Sequence, residues 1–150
     1  MVLSSEIKIM PREEFFATDM AKEIVEYEKR TISRSIEYRL SDGDYTRAAE
    51  LRKKMSIVED DVYNEYCDAA KSLMEDLEKA NAGDSRYQFI VSKCFMRKDF
   101  FFNPQEAWNY MCLALKQQFS GAELYLDLMR HEFEGLGVDF SVEDNPPSAE

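Results

Sequence analysis

Asp127 and His131 stand four residues apart, a spacing that puts two side chains on one face of a helix. They offer two metal ligands, and Glu132 and Glu134 lie close by in sequence. A protein metal site needs three or four ligands, and no second histidine exists to extend the pair. His131 therefore reads as a surface histidine near a helix end. Cys67, Cys94 and Cys112 are odd in number and widely spaced, which predicts reduced, mostly buried thiols and a cytoplasmic setting. The chain has no Cys-x-x-Cys, no phosphate-cradling glycine loop and no Gly-x-Ser-x-Gly. Carboxylates abound, but catalysis by a pair of them needs two separated environments, which an acidic composition does not supply. The expectation is a protein with no catalytic residues, no metal and no cofactor.

The elements must then present a surface. The 150 residues amount to one ordinary domain, with a 45% hydrophobic fraction sufficient for a core. Five glycines and four prolines are few, which favours helices. No apolar run approaches the roughly 20 residues of a membrane span, and the opening MVLSSEIKIMPREEFF predicts no secretory leader. The net charge of −11 disfavours direct binding to nucleic acid. That charge is uneven. Glu59–Glu78 holds eight acids against one base, and Glu123–Glu150 repeats that ratio. Lys29–Lys54 holds eight bases against four acids.

After a lead-in over 1–17, with Pro11 opening a short turn and Phe15 and Phe16 tucked inward, a long helix is expected from about Thr18 to Leu40. Its apolar stripe is Met20, Ile24, Tyr27, Ile32, Ile36 and Leu40. Gly43 breaks it, and Asp44 is placed to cap the next helix. Ala48, Leu51, Met55, Val58, Val62, Tyr66, Ala69, Leu73 and Leu77 then recur at steps of three and four, with no Gly or Pro from Tyr45 to Ala82. Unbroken, that helix would be roughly 55 Å long. It must bend, break near Asp60-Asp61 or protrude. Three further helices are expected at about 85–97, 105–118 and 122–134, then an acidic tail over 140–150. The aromatic loop Phe100, Phe101 and Phe102 reads as a core plug, with the alternative that part of it inserts into a partner.

Two resemblances rest on named residues. DYTRAAELRKKMSIVE, Asp44–Glu59, resembles the UVR motif of nucleotide-excision repair proteins and Clp-associated adaptors: Asp44-Tyr45, then Ala48-Ala49, Leu51-Arg52, Met55, Val58 and Glu59. Lys53 departs from the acid usual there. The resemblance implies a helical hairpin used for protein–protein contact, with Tyr45 stapling the turn. EAWNYMCLALKQQFSGAELYL resembles a junction of Sel1-type repeats, relatives of the tetratricopeptide repeat, through Ala107, Tyr110, Met111, Ala114, Gln117, Ala122 and Leu126. Gln118 replaces the usual glycine, and FFFNP the usual glycine-rich loop.

The reading is a single all-α domain over 1–150, a long antiparallel helical hairpin (18–80) packed on a smaller three-helix repeat-like unit (85–134). The expected function is a non-enzymatic adaptor or regulator that binds another protein. Its surface would be Tyr45, Arg47, Leu51, Arg52, Met55, Asp60, Asp61, Glu65, Asp68, Phe101 and Phe102. Self-association is expected because the seam outruns one covering helix. A second hypothesis is an acidic inhibitor that mimics nucleic acid and fills a basic groove, as some phage-encoded inhibitors do. An enzyme is the third, and would require a buried polar cluster near His131.

Overall fold

The computed structural model describes residues 7–143, and the described residues are all-α. The helices are α1 (Arg12–Ala17), α2 (Asp19–Ser41), α3 (Tyr45–Ser56), α4 (Val58–Asn81), α5 (Ser85–Met96), α6 (Pro104–Lys116) and α7 (Ala122–Glu132). A 3-10 turn, Phe140–Glu143, stands where the acidic tail was expected to begin, and the rest of that tail, 144–150, lies outside the described residues. The described residues group into two compact units, Ile9–Ala69 and, in the other, 7–8 with 70–143. The boundary falls inside α4, not at the Gly83 turn.

In Ile9–Ala69 the hairpin is α2 and α3. Thr18 caps α2 by accepting the Ala21 amide at 3.2 Å, and Asp44 caps α3 through the Arg47 amide at 3.1 Å. The apolar stripe of α2 is one residue out of phase with the expectation over its first two turns and regains it at Ile32, with Ile36 and Leu40 half-buried. Ala21, Val25 and Ile32 are buried, whereas Tyr27 is 62% exposed. Small Ala21 permits close helix approach, so it faces inward while bulkier Met20 and Ile24 take half-buried flanks. At the base of the unit Phe15 stacks on Tyr66 at 4.4 Å. Tyr63 donates its hydroxyl to the Met10 carbonyl at 2.8 Å, and the Met10 amide donates to the Tyr66 hydroxyl at 2.9 Å. Both polar groups of that backbone residue are thereby satisfied.

The long second helix is not continuous. It breaks at Ile57, three residues before Asp60-Asp61. Lys53 and Lys54 close α3, and Glu59, Asp60 and Asp61 open α4. Each set of charges favours a helix terminus of the opposite partial charge, so the pair of them stabilises two ends where one helix would have none. Ser56 adds a hydroxyl bond to the Lys53 carbonyl at 2.6 Å, which competes with the next helical turn. The seam nonetheless keeps its phase, and Ala48, Leu51, Val58, Val62, Tyr66, Ala70, Leu73 and Leu77 are all 6% exposed or less. Ala70, not Ala69, fills its position.

In the other unit α6 is the centre. Every residue from Ala107 to Ala114 is buried, between α5 and α7. Asn103 caps α6 through the Glu106 amide at 3.1 Å, with Pro104 in its first turn. The buried side chains of Gln88 and Ser92 are paired. Gln88 donates to the Ala80 carbonyl at 3.2 Å and accepts from Gln117 at 2.7 Å, and Ser92 donates to the Ala107 carbonyl. Gln105 clamps the backbone of Asp139 from both sides, at 3.2 and 2.7 Å. That clamp brings Phe140 edge-on to Trp108, ring centroids 4.6 Å apart.

Candidate protein-interaction surface

The tip of the α2–α3 hairpin gathers the most unusual surface of its unit. Gly43 has φ 78°, the left-handed conformation that lets the chain reverse after α2. The reversal sets Tyr38, at the end of α2, and Tyr45, at the start of α3, on either side of the turn. They are 65% and 69% exposed. Tyr45 is thus no staple: as the first residue of α3 its ring points away from the hairpin contact. Between the two helices lies a notch of about 260 Å³ lined by Arg34, Ser35, Tyr38, Arg39, Arg47 and Leu51. The Arg39 guanidinium lies 5.6 Å from the Tyr38 ring centre. Arg39 is only 3.9 Å from the nearer Asp44 oxygen, whereas Arg47 pairs with Glu50 at 3.0 Å. Leu51, expected to be a contact residue, is 6% exposed and forms hairpin core at the floor of the notch. Arg52 is exposed and Met55 half-buried.

The acidic residues separate into two groups. Asp60 is tied to Arg12 at 2.6 Å, and Arg12 also lies 5.1 Å from the Phe16 ring centre. Glu59 is 3.8 Å from Lys29. Asp61, Glu65 and Asp68, at steps of four and three along α4, are exposed and make no ion pair with a described residue. Phe101 and Phe102 are half-buried against their own unit's core, Phe102 edge-on to Phe133 at 6.2 Å. Their rings plug that core and do not form a free loop. The seam residues of α3 and α4 from Ala48 to Leu77 are buried, with Met55 half-buried.

The residues weighed for chemistry lie in the other unit. Asp127 pairs with Arg130 at 3.1 Å, leaving His131 exposed beside it. Among the described residues no three of His, Cys, Asp and Glu gather in a metal-holding group. Burial pushes the Cys112 thiol up to about 12 and raises that of Cys94, so neither is an activated nucleophile. Among the described residues no helix is long and apolar enough to cross a membrane. The outer face of α7 exposes Leu124 (74%) and Leu128 (43%) beside a depression of about 630 Å³ that His131 also lines.

Sequence reasoning missed Arg34, Ser35, Tyr38 and Arg39. Their signal was present: Arg34 and Tyr38 share an α2 face at four-residue spacing, and the segment 29–54 is basic in an acidic chain.

No protein-family model matches the chain, no curated protein is detectably similar in sequence, and no solved structure is detectably similar in fold.

Proposed function

We propose that the chain is a non-enzymatic protein-interaction module, an adaptor or regulator, whose hairpin tip docks on another protein. One observation carries the reading: Tyr38 and Tyr45, both more than three-fifths exposed, flank a turn beside three arginines. Tyrosine and arginine are the residues that dominate binding hot spots, because a rigid ring or a planar fork gives large contact at low entropic cost. The resemblance of Asp44–Glu59 to the UVR hairpin agrees with this use of the tip. An exposed apolar seam is not required.

The test is recovery of partners by the tagged full chain and by the double variant Tyr38→Ala, Tyr45→Ala. A partner held by the first and lost by the second, with thermal unfolding unchanged, supports the module. Partners recovered equally by both, or none by either, defeat it.

A second reading has its own observation. Asp61, Glu65 and Asp68 form an exposed acidic row on α4 without basic partners among the described residues, the feature a nucleic-acid mimic would use. Reversing all three to Lys would abolish binding by such a mimic and leave a tip-mediated contact intact. Its binding would also weaken steeply with added salt.

A further inference from the structure

We propose that the notch at the hairpin tip is a seat for a phosphate-class oxyanion, held by Arg34, Arg39 and Arg47. Arg34 and Tyr38 occupy one face of α2 at four-residue spacing, and Arg47 and Leu51 one face of α3 at the same spacing. α2 therefore contributes the guanidiniums of Arg34 and Arg39, α3 that of Arg47, and each helix a wall. The walls enclose about 260 Å³ over the buried side chain of Leu51, with Ser35 and Tyr38 among the lining residues. An apolar floor lowers the local dielectric and strengthens the attraction of an anion to the three cations above it.

The carboxylates at hand do not saturate those cations. Arg34 makes no ion pair with a described residue. Asp44 has one oxygen engaged in capping α3, at 3.1 Å from the Arg47 amide, and its other oxygen is 3.9 Å from Arg39. The Arg47–Glu50 pair joins neighbours three apart on an exposed helix face, a kind of contact that is weak and exchanges readily. A carboxylate ligand offers two oxygens and fills one guanidinium fork. A phosphate monoester offers three oxygens and nearly two charges, which suits three forks from two helices. Such a group arrives either as free phosphate or on a phosphorylated side chain.

The experiment titrates the full chain with inorganic phosphate and, separately, with phosphoserine. Arginine side-chain N–H resonances are followed, with sodium chloride at matched ionic strength as the control. Saturable shifts at Arg34, Arg39 and Arg47 are expected. Arg34→Gln and Arg47→Gln should each weaken binding about tenfold, the loss of one charge-assisted contact, while Lys71→Gln leaves it unchanged. Tighter binding of phosphoserine identifies a modified side chain as the source, and equal or tighter binding of phosphate identifies the free ion; both support the seat. Shifts reproduced by chloride, or an affinity indifferent to both arginine variants, overturn it. No partner enters the measurement, so its failure leaves the tyrosine-dependent docking standing, and failure of the docking leaves the seat standing.

Discussion

Compare α6 with α2. Thirteen residues long, α6 buries eight in succession, Ala107 to Ala114. With 23 residues, α2 buries three, Ala21, Val25 and Ile32. A helix buried on every side is committed to holding its neighbours and has no face to lend. A helix buried along one narrow stripe leaves most of its circumference to water or to a partner. The difference teaches where to look for function. The unit around α6 has the deep aromatic core, and the hairpin has little core and a specialised surface.

The largest effect that tests this contrast is truncation of Trp108, which is 0% exposed. Trp108→Ala should cost about 3–5 kcal/mol, the usual range for a buried Trp. The lower end is favoured because Trp108 Nε1 meets no acceptor among the described residues, so no hydrogen bond is lost with the ring. Val25→Ala in α2 should cost only about 1–2 kcal/mol, since it deletes two methyl groups beside a thin layer. Chemical denaturation of both variants checks the order. A costlier Val25→Ala would break the contrast.

A smaller effect sharpens it. Where the core is thin, a cap weighs more in the total. Asp44→Ala removes the acceptor of the Arg47 amide and should destabilise the protein by about 1 kcal/mol. Hydrogen exchange should speed at the amides of α3 and leave those of α6 unchanged. Uniform acceleration across both helices would mean that the two regions open together.

Much of this was legible in the residue pattern. The helix starts near 85 and 105, the Gly43 turn and the burial of Phe15 arise from turn residues, backbone freedom and hydrophobicity, which act locally. A break near Asp60-Asp61 was one of three outcomes the helix length allowed, but its position at Ile57 was hidden by a specific cause. Ala48, Leu51, Val58 and Val62 keep helical spacing straight through it, so apolar periodicity could not register it. The charge sequence Lys53-Lys54 then Glu59-Asp60-Asp61 did mark it, because only helix ends reward that arrangement. The phase of the first two turns of α2 failed for the opposite reason. Its stripe offers Met20 or Ala21, and Ile24 or Val25, as equally apolar choices, and only the packing partner decides between them. The candidate surface was least legible. Leu51 was singled out as a contact because a motif contained it, yet it is core. Arg34, Tyr38 and Arg39 were passed over although α2 carries them to the same notch as Arg47.

The smallest effect concerns three helix ends built alike. After α2, the Asp44 amide bonds to the Arg39 carbonyl at 2.8 Å and the Gly43 amide to Leu40 at 3.2 Å. After α4, Asp84 bonds to Lys79 at 3.2 Å and Gly83 to Ala80 at 3.0 Å. After α6, Phe119 bonds to Ala114 at 3.0 Å and Gln118 to Leu115 at 2.7 Å. This is one pairing of amides with the last helical carbonyls, and it demands a left-handed residue at its centre. Gly43 and Gly83 meet the demand with φ 78° and 102°, whereas α6 ends on Gln118 at φ 59°. A side chain in that region costs roughly 1–2 kcal/mol, and glycine recovers it less the roughly 0.5–1 kcal/mol of its greater freedom when unfolded. Gln118→Gly should therefore stabilise the protein by about 0.5 kcal/mol, even though the unit around α6 is already the better packed. Gly43→Ala, in the thinner hairpin, should destabilise by about 1 kcal/mol because the same conformation is then forced on a Cβ. Thermal unfolding of the two variants should move in opposite directions. If both move down, the Gln118 side chain holds α6 by more than its backbone conformation costs, and packing rather than local geometry governs that helix end.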